Sequence, residues 1–274
     1  MSLSTLGEFG LIDRIKKRLK SKYIGDDCAF IPPNMLLTTD TMVEDVHFSF
    51  KTFNWFKLGW KIIAVNISDI AAMGGIPKYA LVTLGLNNKA SVNDIDDLYT
   101  GMQKISKKYK LNIVGGDIVR SKQIFVTVVL IGHVEKNLVV KRSGAKVGDL
   151  IMTTGTLGKA AKSKYTILPQ PRIKEGRLLA KNKIATAMID NSDGLIRSIA
   201  EICKASGVGA RINSCHVPVA SGATIEDALF GGEDYELVFT GKNKFGTIVG
   251  EIVSKSKGIT LDGKPVKKFG WEHF

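Results

Sequence analysis

Seven aspartates stand beside or within apolar stretches of this sequence, where their carboxylates would be expected to leave water. They are Asp26 and Asp27 in Gly-Asp-Asp-Cys-Ala, Asp40 in Thr-Thr-Asp-Thr, Asp69 in Asn-Ile-Ser-Asp, Asp117 in Gly-Gly-Asp, and Asp190 and Asp193 in Asp-Asn-Ser-Asp-Gly. A carboxylate that leaves water destabilises a protein unless a cation or several hydrogen-bond donors compensate it. Oxygen ligands without histidine or cysteine neighbours are those that Mg²⁺ prefers. The pattern therefore predicts a magnesium site, formed where these aspartates meet in the folded chain.

Taken singly, each aspartate also has a purely structural explanation. Asp193 could cap a helix, Asp26 could lie in a turn, and Asp40 could close a strand through an Asx-turn. The recurrence of the pattern along one chain favours the shared chemical role over separate structural ones.

Three glycine pairs accompany the aspartates and would let backbone amides approach a phosphate closely. The pairs are Gly74-Gly75, Gly115-Gly116 and Gly231-Gly232. Glycines at strand ends are more often simple turns, so this signal is weak alone. The sequence contains no G-x-x-x-x-G-K-[ST] motif, and no G-x-G-x-x-G opens a helix after a strand, which argues against P-loop kinases, protein kinases and Rossmann dehydrogenases.

The elements that must position these residues alternate between strands and helices in the first half of the chain. Apolar, β-branched runs predict strands at residues 35–41, 79–86 and 124–134. Ser91, with Asp94 three residues later, predicts a capped helix that continues to about Tyr109. A second helix, residues 58–73, is apolar almost all round and should be buried, so Asp69 within it needs a polar partner.

The composition turns polar and basic near residues 135–147, which predicts a boundary between an N-terminal domain, 1–136, and a C-terminal domain, 137–274. The second half again shows strands, at residues 149–154, 184–189, 208–212, 235–240 and 247–253. A helix should open near Asp193. Strands and helices mix without a strict βαβ period, so the fold class is α+β, with two α/β domains.

The composition indicates a folded protein without a membrane span: 44% of the residues are hydrophobic, and the longest apolar run, 124–132, is too short to cross a bilayer. The net charge of +13 could attract nucleic acid, but the lysines are dispersed and no nucleic-acid-binding motif is present, so we expect no nucleic-acid partner. The three cysteines form no C-x-x-C pair, and we expect free thiols in a cytoplasmic protein.

Nine segments, taken together, closely resemble the motifs of the thiamine-monophosphate kinase family, in that family's order. They are Gly7-Glu8-Phe9, Gly25 to Ala29, Thr38 to Thr41 with His47-Phe48, Asn66 to Gly74, Gly115-Gly116-Asp117, Arg142 to Ala145, Asp190 to Leu195, Gly231 to Leu237, and His273-Phe274. The resemblance implies the fold of aminoimidazole ribonucleotide synthetase. In that fold an N-terminal α/β domain forms a homodimer, a C-terminal α/β domain follows, and ATP binds in the cleft between them.

The resemblance also implies roles for individual residues. Several Mg²⁺ ions would be bound by Asp27, Thr38, Thr39, Asp40, Asp69, Asp117, Asp190 and Asp193. ATP would be contacted by Tyr99, Gly116, Asp117, Arg142 and Ser192. Thiamine monophosphate would be contacted by His47, Glu233 and Trp271. Within this set, Asp40, Asp69, Asp190 and Arg142 would be the catalytic residues.

The implied reaction is direct in-line transfer of the γ-phosphoryl group of ATP to thiamine monophosphate, giving ADP and thiamine diphosphate. Two of the implied substrate contacts have structural alternatives. His47 beside Phe48 could be a packed or surface group, and Trp271 could serve only to pack the tail rather than to stack on the cationic thiazolium ring.

The resemblance is weakest after Gly155-Thr156-Leu157-Gly158. There Lys159 replaces an acidic residue, and a shortened segment leads to Pro169-Gln170-Pro171-Arg172. Aminoimidazole ribonucleotide synthetase is the closest alternative activity. Selenophosphate synthetase is disfavoured, since Cys28 follows two acidic residues in an apolar context rather than a glycine-rich loop.

Overall fold

The computed structural model describes residues 2–274, which divide into two compact units. Unit 1 comprises the chain through Ala29 together with Val140–Tyr165 and Ile184–Phe274. Unit 2 comprises Phe30–Val139 and Thr166–Lys183. The chain therefore leaves unit 2 after residue 139 and returns to it for 18 residues, 166–183. The domain division at 136/137 stays a prediction.

Seven helices and twelve strands are formed within residues 2–274. The helices are α1 (Leu3–Leu19), α2 (Trp55–Ala72), α3 (Val92–Tyr109), α4 (Lys159–Lys162), α5 (Ile173–Lys181), α6 (Leu195–Ser206) and α7 (Ile225–Phe230). The strands are β1 (Ala29–Ile31), β2 (Met35–Val43), β3 (Ile76–Leu86), β4 (Asn112–Arg120), β5 (Phe125–His133), β6 (Leu150–Thr153), β7 (Ala187–Asp190), β8 (Gly209–Ile212), β9 (Leu237–Gly241), β10 (Thr247–Val253), β11 (Ile259–Leu261) and β12 (Lys264–Pro265).

Unit 2 is built on a five-stranded sheet with the order β1-β2-β5-β3-β4. Along β5 the buried residues alternate with half-buried ones, so that one face of the sheet meets the helices. The predicted strands β2, β3 and β5 and the capped helix α3 are confirmed, including the reciprocal cap between Ser91 and Asp94. The buried helix α2 is also confirmed; it begins at Trp55, three residues before the predicted start.

Glycines let α2 and α3 pack with their backbones in direct contact. A methyl group at Gly59 would lie 1.9 Å from the carbonyl oxygen of Leu98, and one at Gly101 would lie 2.0 Å from that of Phe56. Each helix therefore presents a glycine to a carbonyl of the other. This contact fixes the position of α2, the helix that carries Asp69.

The returning segment, residues 166–183, completes unit 2 against α2. A methyl group at Gly176 of α5 would lie 2.2 Å from the carbonyl oxygen of Ala71, which shows how closely the two helices approach. The buried Trp60 donates a hydrogen bond from Nε1 to the carbonyl oxygen of Pro169, at 2.9 Å. The shortened segment noted in the sequence thus forms part of the packing around α2.

Unit 1 is built on a mostly antiparallel seven-stranded sheet with the order β12-β11-β8-β10-β6-β9-β7. Its core joins residues of the sheet, such as Ile189 and Val238, to the apolar face of α6, where Leu195, Ile196 and Ile199 are buried. The predicted helix after Asp193 is confirmed as α6. Strand β6 lies next to the central strand β10 and pairs with both β10 and β9.

Eight of these nineteen elements were not predicted, namely α1, α4, α5, α7, β1, β4, β11 and β12, and the longest helix and the longest strand among them are α1 and β4. Helix α1 has no buried residue, and Gly7, with a φ of 69°, interrupts the helix near its start. Strand β4 is exposed along nearly all its length and contains Gly115-Gly116, which weakens the strand pattern.

No helix formed by residues 2–274 combines the length and apolar character that a bilayer crossing requires. The three cysteines are free, as predicted.

Replacing Gly101 with alanine is expected to lower the free energy of unfolding by about 1–3 kcal/mol, because the added methyl group forces α2 and α3 apart. The higher helix propensity of alanine offsets at most about 1 kcal/mol of this loss. Urea denaturation measures the change. The exposed neighbour Thr100 provides the matched control, since Thr100→Ala should change stability by no more than about 0.5 kcal/mol. Equal stability of the two variants would contradict the close helix contact.

Candidate functional site

A bidentate ion pair organises the predicted site residues of unit 1. Arg142 donates from Nε to Oδ2 of Asp27 at 3.3 Å and from Nη2 to Oδ1 at 3.1 Å. The Asp27 side chain is only 1% exposed. Asp190, at the end of β7, is buried and offers a carboxylate oxygen within 4.8 Å of one from Asp27. Three residues that lie far apart in the sequence are thus brought together.

The guanidinium of Arg142 is held firmly in its charged form. Burial opposes that charge, but the adjacent carboxylate of Asp27 outweighs it and raises the pKa of Arg142. The backbone amide of Arg142 also donates to Asp26, at 3.0 Å. Burial raises the pKa of Asp26, an effect that this hydrogen bond and Lys141 partly oppose. The Arg142 guanidinium therefore lies near several carboxylates, among them Asp27 and Asp190.

Asp193 has a strongly perturbed carboxyl group. Burial, reinforced by the nearby carboxylate of Glu8, raises its pKa to about 6, although Arg142, Arg197 and His273 act in the opposite direction. The ionised carboxylate is therefore under-compensated by the protein itself, which is the environment that a bound cation would relieve.

Ser192 and Glu233 lie next to each other in unit 1. The amide of Glu233 donates to the carbonyl oxygen of Ser192 at 2.6 Å, and Glu233 adopts a positive φ of 56°. The neighbouring Asp234 accepts hydrogen bonds from the amides of Gly158 and Ala160, at 2.6 and 3.0 Å. In the segment 231–237, Asp234 therefore holds the start of α4.

In unit 2, Thr38 and Asp69 form a second group. The hydroxyl of Thr38 donates to Oδ2 of Asp69 at 2.5 Å, which provides the buried-helix aspartate with the polar partner it requires. Asp40 lies two residues beyond Thr38 on β2 and so projects from the same face of the sheet. Thr39 projects from the opposite face.

Gly116 and Asp117 lie on β4, at the far edge of the same sheet. The register runs Asp40 to Val128 to Val82 to Gly116, so three strand spacings separate Asp40 from β4. At about 4.8 Å per spacing, this is roughly 14 Å. Within one chain, β4 therefore does not bring Asp117 to Asp40. A methyl group at Gly116 would lie 1.7 Å from the carbonyl oxygen of Val82, so this position requires glycine.

His47 and Tyr99 occupy separate places in unit 2. His47 follows β2 in a tight turn, where its Nδ1 accepts a hydrogen bond from the amide of Val43 at 3.1 Å. A neutral ring that accepts at Nδ1 carries its proton on Nε2. Tyr99 is half-buried on α3, where burial raises the pKa of its hydroxyl.

Trp271 lies in unit 1, where its backbone amide donates to the carbonyl oxygen of Asp193 at 3.1 Å and its ring is 54% exposed. Two further residues at this place were not predicted. Arg197 and Glu8 surround Asp193, and both act on its pKa. Glu8 stands in the matched segment Gly7-Glu8-Phe9, a signal that was present without an assigned role. Arg197 has no comparable sequence signal.

The donor set suits a hard divalent cation. The unit 1 group offers the carboxylates of Asp27, Asp190 and Asp193, and the unit 2 group offers those of Asp40 and Asp69 with the Thr38 hydroxyl. These are all oxygen ligands, which favours Mg²⁺ over zinc or copper.

Comparison with known proteins decides the family. The model of the AIR synthase related protein N-terminal domain matches residues 25–134, and that of the C-terminal domain matches residues 145–249. The thiamine-monophosphate kinase of Aquifex aeolicus is 37% identical in an alignment that covers 100% of both chains. The chain belongs to the thiamine-monophosphate kinase family. The family resemblance and the fold class predicted from the sequence are thereby confirmed.

Other members of the thiamine-monophosphate kinase family are similar to this one in sequence and structure. The enzyme of Bacillus subtilis is 38% identical over 81% of this chain and 78% of its own length. A solved structure of AaThiL complexed with AMPPCP and TMP superimposes with a TM-score of 0.92 at 38% identity, covering 100% of this chain and 99% of the other. The match thus extends across the segments that carry the predicted site.

Replacing Asp193 with asparagine is expected to stabilise the ion-free protein at neutral pH. Because the folded-state pKa of about 6 lies above the ordinary value of 3.8, the stability associated with protonated Asp193 is lost as the pH rises through this window. Removing the charge should raise the free energy of unfolding at pH 7 by about 1–3 kcal/mol. Denaturation in EDTA at pH 4 and pH 7 measures this. A stabilisation that is equal at both pH values would contradict the assignment.

Proposed function

We propose that this protein is a cytoplasmic thiamine-monophosphate kinase that transfers the γ-phosphoryl group of ATP directly to thiamine monophosphate, forming ADP and thiamine diphosphate. The observation that carries the proposal is the buried group of Asp27, Arg142 and Asp190, in a chain that resembles thiamine-monophosphate kinases over its full length. The free thiols are compatible with a reducing compartment.

The acceptor determines which chemistry the residues must supply. A phosphate monoester has a second pKa of about 6, so at neutral pH its oxygen is already a nucleophilic anion and no general base is needed. The approach of two polyanions opposes the reaction; one pair of unit charges 4 Å apart costs about 4 kcal/mol at an effective dielectric constant near 20. Catalysis therefore requires fixed positive charge and accurate positioning rather than proton transfer.

We assign magnesium binding to two groups of residues, one in each unit. Asp27, Asp190 and Asp193 form the first, and Thr38, Asp40 and Asp69 form the second. Thr39, whose side chain projects from the opposite face of β2, would contribute only through its backbone carbonyl oxygen. Bound Mg²⁺ neutralises phosphate charge and polarises the transferred group. Arg142 adds a positive charge that its ion pair with Asp27 holds in place, and Ser192, which lies between Asp190 and Asp193 in the sequence, is proposed to contact ATP.

Three residues are proposed to contact thiamine monophosphate. His47 would donate from Nε2, since its Nδ1 is occupied by the amide of Val43. Glu233 and the exposed ring of Trp271 would face the cationic part of the substrate. An aromatic face attracts a permanent cation such as the thiazolium ring.

The proposal is tested by incubating the purified protein with ATP, saturating Mg²⁺ and thiamine monophosphate and following thiamine diphosphate and ADP by chromatography. Stoichiometric formation of both supports it, and the absence of thiamine diphosphate overturns it. Phosphate release that depends on formylglycinamidine ribonucleotide would instead assign the activity of aminoimidazole ribonucleotide synthetase.

Asp69→Asn is expected to lower turnover by about two to three orders of magnitude, because the amide removes the charge that a metal requires. Folding should be nearly unchanged, since asparagine retains an oxygen that can accept from Thr38. Thermal denaturation checks the fold, and product chromatography measures turnover. The exposed Asp96 on α3 provides the control, because Asp96→Asn changes the same net charge away from the site. Unchanged turnover of Asp69→Asn would contradict the metal assignment.

We also propose that the enzyme acts as a homodimer through the open face and β4 edge of the unit 2 sheet. Tyr79, Leu81, Val114, Ile118 and Val119 expose apolar side chains on β3 and β4. An exposed apolar surface of this kind, beside an edge strand, is typical of a protein–protein interface. Pairing would also explain how Asp117 acts with Asp40, since β4 of the partner subunit could supply the carboxylate that the same chain holds about 14 Å away.

Mixed dimers test this arrangement. Asp40→Asn and Asp117→Asn subunits should each be inactive alone, but a heterodimer of the two contains one site with both aspartates intact. Co-purification with two different tags should therefore recover about half of the activity of the unmodified dimer. Activity that stays as low as in either single variant would show that the two residues act within one chain. A monomer in light scattering would exclude the dimer itself.

A further inference from the structure

Arg197 of α6 joins three segments of unit 1 that are distant in sequence. Its guanidinium lies 4.5 Å from the ring centroid of Phe9, on α1, and 5.5 Å from that of Phe269, near the end of the chain. Its Nη2 donates to Oε2 of Glu272 at 3.0 Å. The side chain is 14% exposed, so these contacts are largely shielded from solvent.

The segment that Arg197 holds is the one that carries Trp271. The amide of Trp271 donates to the carbonyl oxygen of Asp193, and the amide of His273 donates to Oε2 of Glu8 at 3.2 Å. Gly270, with φ of 133°, passes so near that a methyl group there would lie 2.2 Å from the same Asp193 carbonyl. The tail is therefore fixed at its backbone, while the Trp271 ring remains exposed.

The same contacts bind the tail to α1. Helix α1 bends at Gly7, and a methyl group there would lie 2.2 Å from Oε1 of Glu272. Glu272 thus fits against the bend while it accepts from Arg197. Since α1 has no buried residue of its own, the Phe9 contact with Arg197 is a main tie between this helix and α6.

We propose that Arg197 is a positioning residue for thiamine monophosphate: it locks α1 and the tail together so that the Trp271 ring is presented to the substrate. This inference rests on the proposed function, in which Trp271 contacts the thiazolium. Arg197 forms no described hydrogen bond or ion pair with the carboxylates proposed to bind metal, although its charge acts to lower the pKa of Asp193. Arg197→Lys keeps that charge, so a loss that this variant shares with Arg197→Met reports the effect that passes through the tail, which should fall on substrate affinity.

An arginine is required because one planar group must serve three partners. The guanidinium can stack on aromatic rings on both of its faces and still donate in its plane to a carboxylate. A lysine keeps the charge but has no planar group, so it can retain the Glu272 ion pair while weakening the contacts with the Phe9 and Phe269 rings. Arg197→Lys and Arg197→Met therefore separate charge from stacking.

The fold should survive either substitution. Helix α6 is anchored by Leu195, Ile196 and Ile199, which are buried in the core of unit 1, whereas Arg197 faces α1 and the tail. Circular dichroism and thermal denaturation should show the helix and the core intact. The exposed Arg211, which pairs only with Glu251 across β8 and β10 among the contacts described, is the matched control for loss of one arginine.

Steady-state kinetics give the first test. Arg197→Met should raise the KM for thiamine monophosphate about 10- to 100-fold, while kcat and the KM for ATP change less than about threefold. Arg197→Lys should lie between this variant and the unmodified enzyme, and Arg211→Met should match the latter. A fall in kcat with an unchanged KM for thiamine monophosphate would overturn the proposal.

A double substitution distinguishes positioning from general stabilisation. If Arg197 acts through Trp271, the KM for thiamine monophosphate of Arg197→Met with Trp271→Ala should equal that of Trp271→Ala alone. Additive effects would contradict the coupling. Hydrogen exchange supplies a readout without turnover: Arg197→Met should speed exchange at the amides of Trp271 and His273, and unchanged exchange would also overturn the proposal. If Arg197→Met exchanges faster but the unmodified protein has no kinase activity, Arg197 still fixes the tail and the proposed function is rejected.

Discussion

Repulsion between carboxylates that must stay close together is the constraint on which this structure depends. Asp27 and Asp190 bring oxygens within 4.8 Å of each other, and both side chains are nearly inaccessible. Two unit charges at this distance repel by on the order of 3 kcal/mol at an effective dielectric constant near 20. Arg142 offsets part of this repulsion in the metal-free protein. A bound divalent cation would offset the repulsion that remains.

The surrounding fold holds these groups by rigid means. Asp190 ends a strand that lies at the edge of the unit 1 sheet, and α6 begins a few residues later, so the intervening Asp193 cannot move far. In unit 2, Asp69 is fixed by a helix whose backbone touches that of its neighbour through glycines. Sites for charged reactants gain from such rigidity, because charges held in place need no reorganisation during the reaction.

The elements with strong periodicity were predictable, and the contacts between distant segments were not. The apolar patterns of helix α2 and strand β5 predict both elements. Strand β4 was not predicted, because it is stabilised by pairing with β3 rather than by buried side chains. The aspartates were found by their apolar context, yet the ion pair of Asp27 with Arg142 joins residues 115 apart, and no local pattern specifies it. The Arg197 contacts with both chain ends were hidden for the same reason.

The return of residues 166–183 to unit 2 has a consequence for how the chain acquires its structure. When the chain has been synthesised as far as residue 139, all strands of the unit 2 sheet are present but α5 is not. Until the next 44 residues emerge, the α2 surface around Ala71 stays uncovered and the indole of Trp60 lacks its Pro169 acceptor. Unit 2 therefore matures only after the first strand of unit 1 has been synthesised, which ties the completion of one unit to the progress of the other.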